Sequence, residues 1–213
     1  MHNHNPVEPK QRILKAAISL FAQKGFASVG VREIAKKANV NIAMISYYFE
    51  GKAGILKAVL EEFFEQYSQM LRDAVDEGQS TEESVRRLIS YMVDFVRENT
   101  ELALVAYNEL PLELPELAEV KVEKITRMIG ILSGFIKRFG LDPEDTYHLG
   151  MIGPSLISMV FMNFRIQSIL RNVFKVKFDD AYYDDFKETI ATLFLSGIQG
   201  IAVKKKPVKR KKI

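Results

Sequence analysis

The sequence has no cysteine, no tryptophan and only three histidines, His2, His4 and His148. Without a thiol there can be no disulfide, no Cys-ligated zinc, no iron–sulfur cluster and no thiol nucleophile. Two of the three histidines fall in the first four residues, so histidine-based metal or triad chemistry has almost no material. No enzyme, no cofactor and no metal site is therefore expected. The opening stretch, MHNHNPVEPK, lacks the apolar core of a signal peptide, and a reducing cytoplasm is the expected location. Proline is absent from residues 10 to 110, so helices can run there unbroken.

What is present is a soluble composition, 47% hydrophobic and 27% charged over 213 residues, which excludes disorder over most of the chain. The charges are segregated. Residues 1–56 carry 8 Lys+Arg against 3 Asp+Glu, residues 57–203 carry 15 against 24, and residues 204–213 carry 7 against none. A basic N-terminal block on an acidic body points to a small module for a polyanion attached to a larger part without that role. The expected organisation is a short N-terminal segment (1–9), a small basic domain (10–56), a helical body (57–203) and a basic tail (204–213).

Hydrophobic periodicity is helical throughout. Ile13, Leu14, Ala17, Leu20 and Phe21 mark one face of a helix over 10–24, and Gly25 stands where its cap belongs. Short helices follow at 31–38 and 42–48, the latter behind Asn41 as N-cap. Longer ones are predicted at 53–76, 82–98, 101–109, 116–138, 144–171 and 180–203. The fold class is all-α. Thr146–Phe164 is a run of 19 uncharged residues, but Gly150, Gly153, Pro154, Ser155, Ser158 and Asn163 make it a poor lipid-facing helix. With the similar run Thr189–Val203 it suggests the seam of a homodimer rather than a membrane anchor.

Residues 31–49 meet the local demands of a helix-turn-helix. Ala35 is small where the second helix would cross, Asn39 tolerates a left-handed turn, and Ile45 is an apolar anchor, at spacings of four and six. A third helix of about seven residues is roughly 10 Å long and suits a major groove about 12 Å wide. Ile42, Ile45 and Phe49 are read as its core side, leaving Ala43, Met44, Ser46 and Tyr47 outward as a small, uncharged, aromatic face for base edges.

The run from Arg12 to Leu56 resembles the N-terminal DNA-binding domain of the TetR (tetracycline-repressor) family. The matching elements are Arg12-Ile13-Leu14, Ala16-Ala17, Leu20-Phe21, Gly25-Phe26, Val31-Arg32-Glu33-Ile34-Ala35, Ala38, Val40, Tyr48-Phe49 and Lys52. The resemblance implies an N-terminal three-helix domain plus a C-terminal helical domain that dimerises and binds a small inducer. Its partners would be double-stranded operator DNA, a second copy of the chain and a small hydrophobic effector. Carried over by position, Arg32 reaches a base or phosphate, Ala43 and Tyr47 lie against bases or backbone, and Tyr48 and Lys52 hold phosphates. Asn41 and Ile42 complete the DNA-binding set. Three departures stand out: Gly30 and Asn41 replace usual Ser/Thr, and Ser46 replaces a usual tyrosine.

For the body, Tyr91, Phe95, Tyr107, Met128, Met159 and Asn163 are candidates for an apolar effector pocket with a few polar tips, plain core being the alternative for each. The implied function is a repressor released from its operator by the effector. The competing reading is a constitutive DNA-binding or architectural dimer without a ligand. The tail KKKPVKRKKI is either solvated surface or an auxiliary polyanion contact.

Overall fold

Short-range signals punctuate the helices of the computed structural model, which describes residues 8–75, 81–111 and 113–203, with side chains as far as 197. The N-terminal stretch with His2 and His4, the predicted break at residues 78–80 and the basic tail lie outside the described residues.

Helix α1 (Pro9–Lys24) begins on proline, where a missing N–H costs nothing. It ends where Gly25 turns to φ 76° and its N–H caps the Phe21 carbonyl at 2.8 Å. Helix α2 (Val31–Ala38) stops on Asn39, left-handed at φ 52°, and the Val40 N–H reaches back to the Ala35 carbonyl at 3.1 Å. Asn41 then opens α3 (Ala43–Phe49), its Oδ1 accepting the Ala43 N–H at 2.9 Å. The exit from α3 is equally tight: Glu50 sits at φ 59° and Gly51 at φ 118° before α4 (Lys52–Ala74) starts.

This α3–α4 corner depends on Gly54. A Cβ there would lie 1.7 Å from the Phe49 carbonyl oxygen, a backbone atom fixed by the end of α3. Gly54→Ala must therefore shift one helix against the other, and a loss of about 1–3 kcal/mol is expected. Thermal unfolding of the variant reads it directly, and an unchanged Tm would mean the corner is looser than drawn.

The remaining helices are α5 (Thr81–Glu98), α6 (Thr100–Glu109), α7 (Pro115–Arg138), α8 (Thr146–Arg165), α9 (Gln167–Val173) and α10 (Asp180–Val203). No strand occurs among the described residues, and the chain is all-α as expected. One expectation needs correction. The predicted helix 144–171 is two helices, α8 and α9, bent by 54° at Ile166. Ile166 leaves helical geometry at φ −100°, ψ 12°, and its N–H closes α8 onto the Met162 carbonyl. No single helix among the described residues is long and apolar enough to cross a membrane.

The chain forms two compact units. The first comprises residues 8–69 and 95–128. Its buried face of α1 (Ile13, Ala17, Leu20, Phe21) packs on α2 and α6, and a cluster of Phe63, Tyr67 and Phe95 fills the interior further along α4. Burial pushes the Tyr67 phenol above its ordinary range. The second unit comprises residues 70–94 and 129–203. There α10 is tied to α5 by Lys187–Asp94 at 2.7 Å and by Arg86, which bridges Glu82 at 3.0 Å and Glu188 at 2.5 Å. Those hydrogen bonds raise the Arg86 pKa and lower that of Glu188. Helices α4, α5 and α7 each run from one unit into the other.

Candidate nucleic-acid interface

Helix α3 is held from one side only. Ile45 and Phe49 are buried and α3 packs on α1, while Ala35 on α2 is buried as well. Ile42 is not an anchor: it is 42% exposed, because α3 starts one residue later than predicted and Ile42 belongs to the preceding turn. The outward set is Ile42, Ala43, Ser46 and Tyr47, and Tyr47 is 80% exposed. A phenol ring left this open on a helix otherwise anchored in the core is a surface waiting for a flat, partly apolar partner. Tyr48 is half-buried and meets the Tyr47 ring edge-on at 4.9 Å, which limits the freedom of both rings.

The preceding helix carries exposed cations. Arg32 and Lys36 are exposed on α2, and the one acid there, Glu33, is neutralised by Lys24 at 2.5 Å. Arg12 on α1 donates from Nη1 to the Asn39 carbonyl at 3.2 Å, pinning the left-handed turn between α2 and α3. Asn41 is exposed, with its oxygen committed to the α3 cap. Gly30 caps α2 without a side chain, so the backbone N–H groups at that end lack the usual hydroxyl.

Lys52 is engaged within the protein. Its ammonium donates to the carbonyls of Phe26 at 2.8 Å, Val29 at 3.0 Å and Ala27 at 3.3 Å, and lies 4.3 Å from the centre of the Phe26 ring. An ammonium has three N–H groups, and these three acceptors use them. In the free protein Lys52 faces the α1–α2 loop.

The profile of bacterial regulatory proteins of the tetR family matches residues 13–59, which are these helices and the start of α4. Residues 13–59 form an N-terminal domain of the TetR family. The family consists of regulatory proteins, not enzymes, and among the described residues no cluster of His, Asp or Glu has metal-binding geometry. The chain is 38% identical over 116 residues to the probable HTH-type transcriptional regulator YttP of Bacillus subtilis, covering 54% of this chain and 56% of that one. The chain spans about half the length of the curated relatives it matches, among them LuxR of Vibrio harveyi and NicS of Pseudomonas putida. Two solved structures share the fold. FadR of Bacillus subtilis in complex with stearoyl-CoA has a TM-score of 0.62 at 22% identity, over 88% of this chain and 98% of that one. AibR in complex with isovaleryl coenzyme A and operator DNA has a TM-score of 0.69 at 13% identity, over 87% and 97%.

The TetR-type body places the six effector candidates in different settings. Phe95, Tyr107 and Met128 belong to the first unit and Tyr91, Met159 and Asn163 to the second. Phe95 is buried edge-on between Phe63 at 6.0 Å and Tyr67 at 5.4 Å. Tyr107 and Met128 are half-buried. Tyr91 is exposed, with the Arg87 guanidinium 5.6 Å from its ring centre. Asn163 donates to the Tyr182 hydroxyl at 2.7 Å, and its Oδ1 is buried without a partner. Met159 lines an open groove of about 160 Å³ between α8 and α10, with Met151, Ile152, Ser155, Leu193, Phe194 and Gly197. Around it Met151, Met162 and Leu193 are exposed apolar side chains.

Residues that the sequence did not flag also bear on this interface. Glu109 on α6 accepts the Phe26 N–H at 3.1 Å. Ser19 on α1 receives Lys37 of α2 at 2.8 Å and donates to Glu101 of α6 at 3.3 Å. These pairs lie 18 to 83 residues apart in sequence, beyond the reach of any local spacing rule.

Proposed function

We propose that the chain is a DNA-binding regulator acting as a homodimer, a repressor whose α3 helices enter successive major grooves and which a small hydrophobic effector releases. One observation carries the DNA reading: α3 is anchored by Ile45 and Phe49 yet presents Ala43, Ser46 and an 80% exposed Tyr47, with exposed cations on the preceding α2. The uncharged face reads bases and those cations hold phosphates. Arg32, Asn41, Ile42, Ala43, Tyr47 and Tyr48 are the contacting set. The exposed methionines of α8 and Leu193 of α10 support dimerisation through that face, since apolar patches of this kind mark interaction surfaces. The acyl-CoA complexes of the two structural neighbours make stearoyl-CoA and isovaleryl-CoA the first effectors to test, although their phosphate-bearing carrier departs from the purely hydrophobic effector that the sequence suggests.

Selection of bound duplexes from random DNA tests the reading and yields the operator. Tyr47→Ala removes about one contact from each half-site, and at roughly 1 kcal/mol apiece the operator affinity is expected to fall on the order of 30-fold. Because Tyr47 is exposed, the Tm should stay put. Equal enrichment of all sequences, or wild-type affinity in the variant, would remove α3 as the reading element.

A further inference from the structure

Phe26 is gripped from two helices at once. From α4, Lys52 donates to its carbonyl at 2.8 Å, to the carbonyls of Val29 and Ala27 at 3.0 and 3.3 Å, and sits over its ring. From α6, the Glu109 carboxylate accepts its N–H at 3.1 Å in a half-buried setting. The ring itself packs edge-on against the buried Phe21 of α1 at 5.3 Å. Every group of Phe26 able to make a directional contact is thus engaged, and the engaging charges come from outside the three DNA-reading helices. The loop so held leads directly into Gly30 and α2, whose N-terminus has no side-chain cap of its own. The loop therefore helps fix that end of α2, beside the Lys24–Glu33 ion pair and the packing of α2 on α1.

We propose that Lys52 and Glu109 are positioning residues for DNA binding: together they clamp the α1–α2 loop through Phe26, so that the placement of α2 and α3 follows that of α4 and α6. A cation donating to carbonyls and an anion accepting an N–H of one residue are complementary, and neither side chain can hold the loop's donor and acceptor alone. The proposal rests on the DNA-binding reading above and deepens it. Lys52 thereby contributes to affinity without touching a phosphate, and Glu109 contributes although it is negative and therefore repelled by DNA.

The test uses the full-length protein and two duplexes, the selected operator and a random-sequence control. Three variants are needed: Lys52→Met, Glu109→Ala and Glu109→Gln. Lys52→Met is expected to weaken operator binding about tenfold or more while the slope of log K against log salt stays at the wild-type value. A phosphate ligand in each subunit would instead flatten that slope by about 1.8. Glu109→Ala should lose affinity of similar size, and Glu109→Gln, whose side-chain oxygen still accepts the Phe26 N–H, should recover most of it. In the free protein, amide exchange at Phe26 should quicken in Lys52→Met and Glu109→Ala and not in Glu109→Gln. A flattened slope for Lys52→Met, or Glu109→Ala with both wild-type affinity and wild-type exchange, would overturn the clamp. Failure of the wild type to bind any duplex would instead sink the DNA-binding reading, and amide exchange would still report on the clamp.

Discussion

Leu193→Arg is expected to convert the protein to monomers and to abolish operator binding at concentrations where the wild type saturates it. Leu193 is 57% exposed on α10 and lines the groove with Met151, Ser155 and Met159 of α8, so in an isolated protomer the arginine reaches water at little cost. In the proposed two-fold dimer through this face the surface meets its own copy, so the substitution is buried once in each protomer. An unpaired charge taken out of water costs several kcal/mol, so two of them outweigh much of the interface and raise the dimer Kd by orders of magnitude. A monomer then reads one half-site, which forfeits the gain from linked binding. Sedimentation gives the mass, a salt-matched binding curve gives the operator affinity, and a Tm near wild type shows that the protomer has not been damaged. A variant that sediments as a dimer places the seam elsewhere on the chain. Gly197→Arg, one turn further along α10 in the same groove, is the companion substitution and should behave alike.

The helices around the candidate interface were legible because their boundaries are set by residues a few positions away. Gly25, Asn39 and Asn41 act on backbone groups within five residues, and α1, α2 and α3 fall within one residue of their predicted spans. The bend at Ile166 was not legible, since the apolar pattern of 144–171 continues through it and neither proline nor glycine marks the spot. Lys52 illustrates the other limit. A lysine at the start of a helix near a DNA-reading element is equally compatible with a phosphate and with a loop carbonyl, and only its placement 23 to 26 residues from Val29 and Phe26 decides. Phe95 shows it for the body: aromatic type nominated it for a pocket, while its phase on α5 turns it onto Phe63 and Tyr67. Side chains that serve local geometry can be read from the sequence; those that join distant helices cannot.

The largest effect on function is expected from the effector, and it must appear twice. Two α3 helices read their half-sites together only when they stand about one helical turn, roughly 34–36 Å, apart, so any change in that spacing weakens both contacts at once. Helix α4 begins with Lys52 in the DNA-reading unit and ends in the other, and α6 holds the α1–α2 loop through Glu109, so a molecule that favours one arrangement of these helices biases the loop. A coupling of about 1–3 kcal/mol corresponds to operator binding weakened roughly 5- to 150-fold. Linkage then requires that saturating operator weaken the effector by the same factor. Titrating stearoyl-CoA, and then isovaleryl-CoA, into free protein and into the operator complex measures both sides of that cycle. In Glu109→Ala the factor should shrink toward one, because the loop no longer follows α6, while affinity for the effector in free protein is unchanged. A thioester that binds with one affinity in the presence and absence of operator is a passenger, and the chain would then be a DNA-binding dimer that such a ligand does not control.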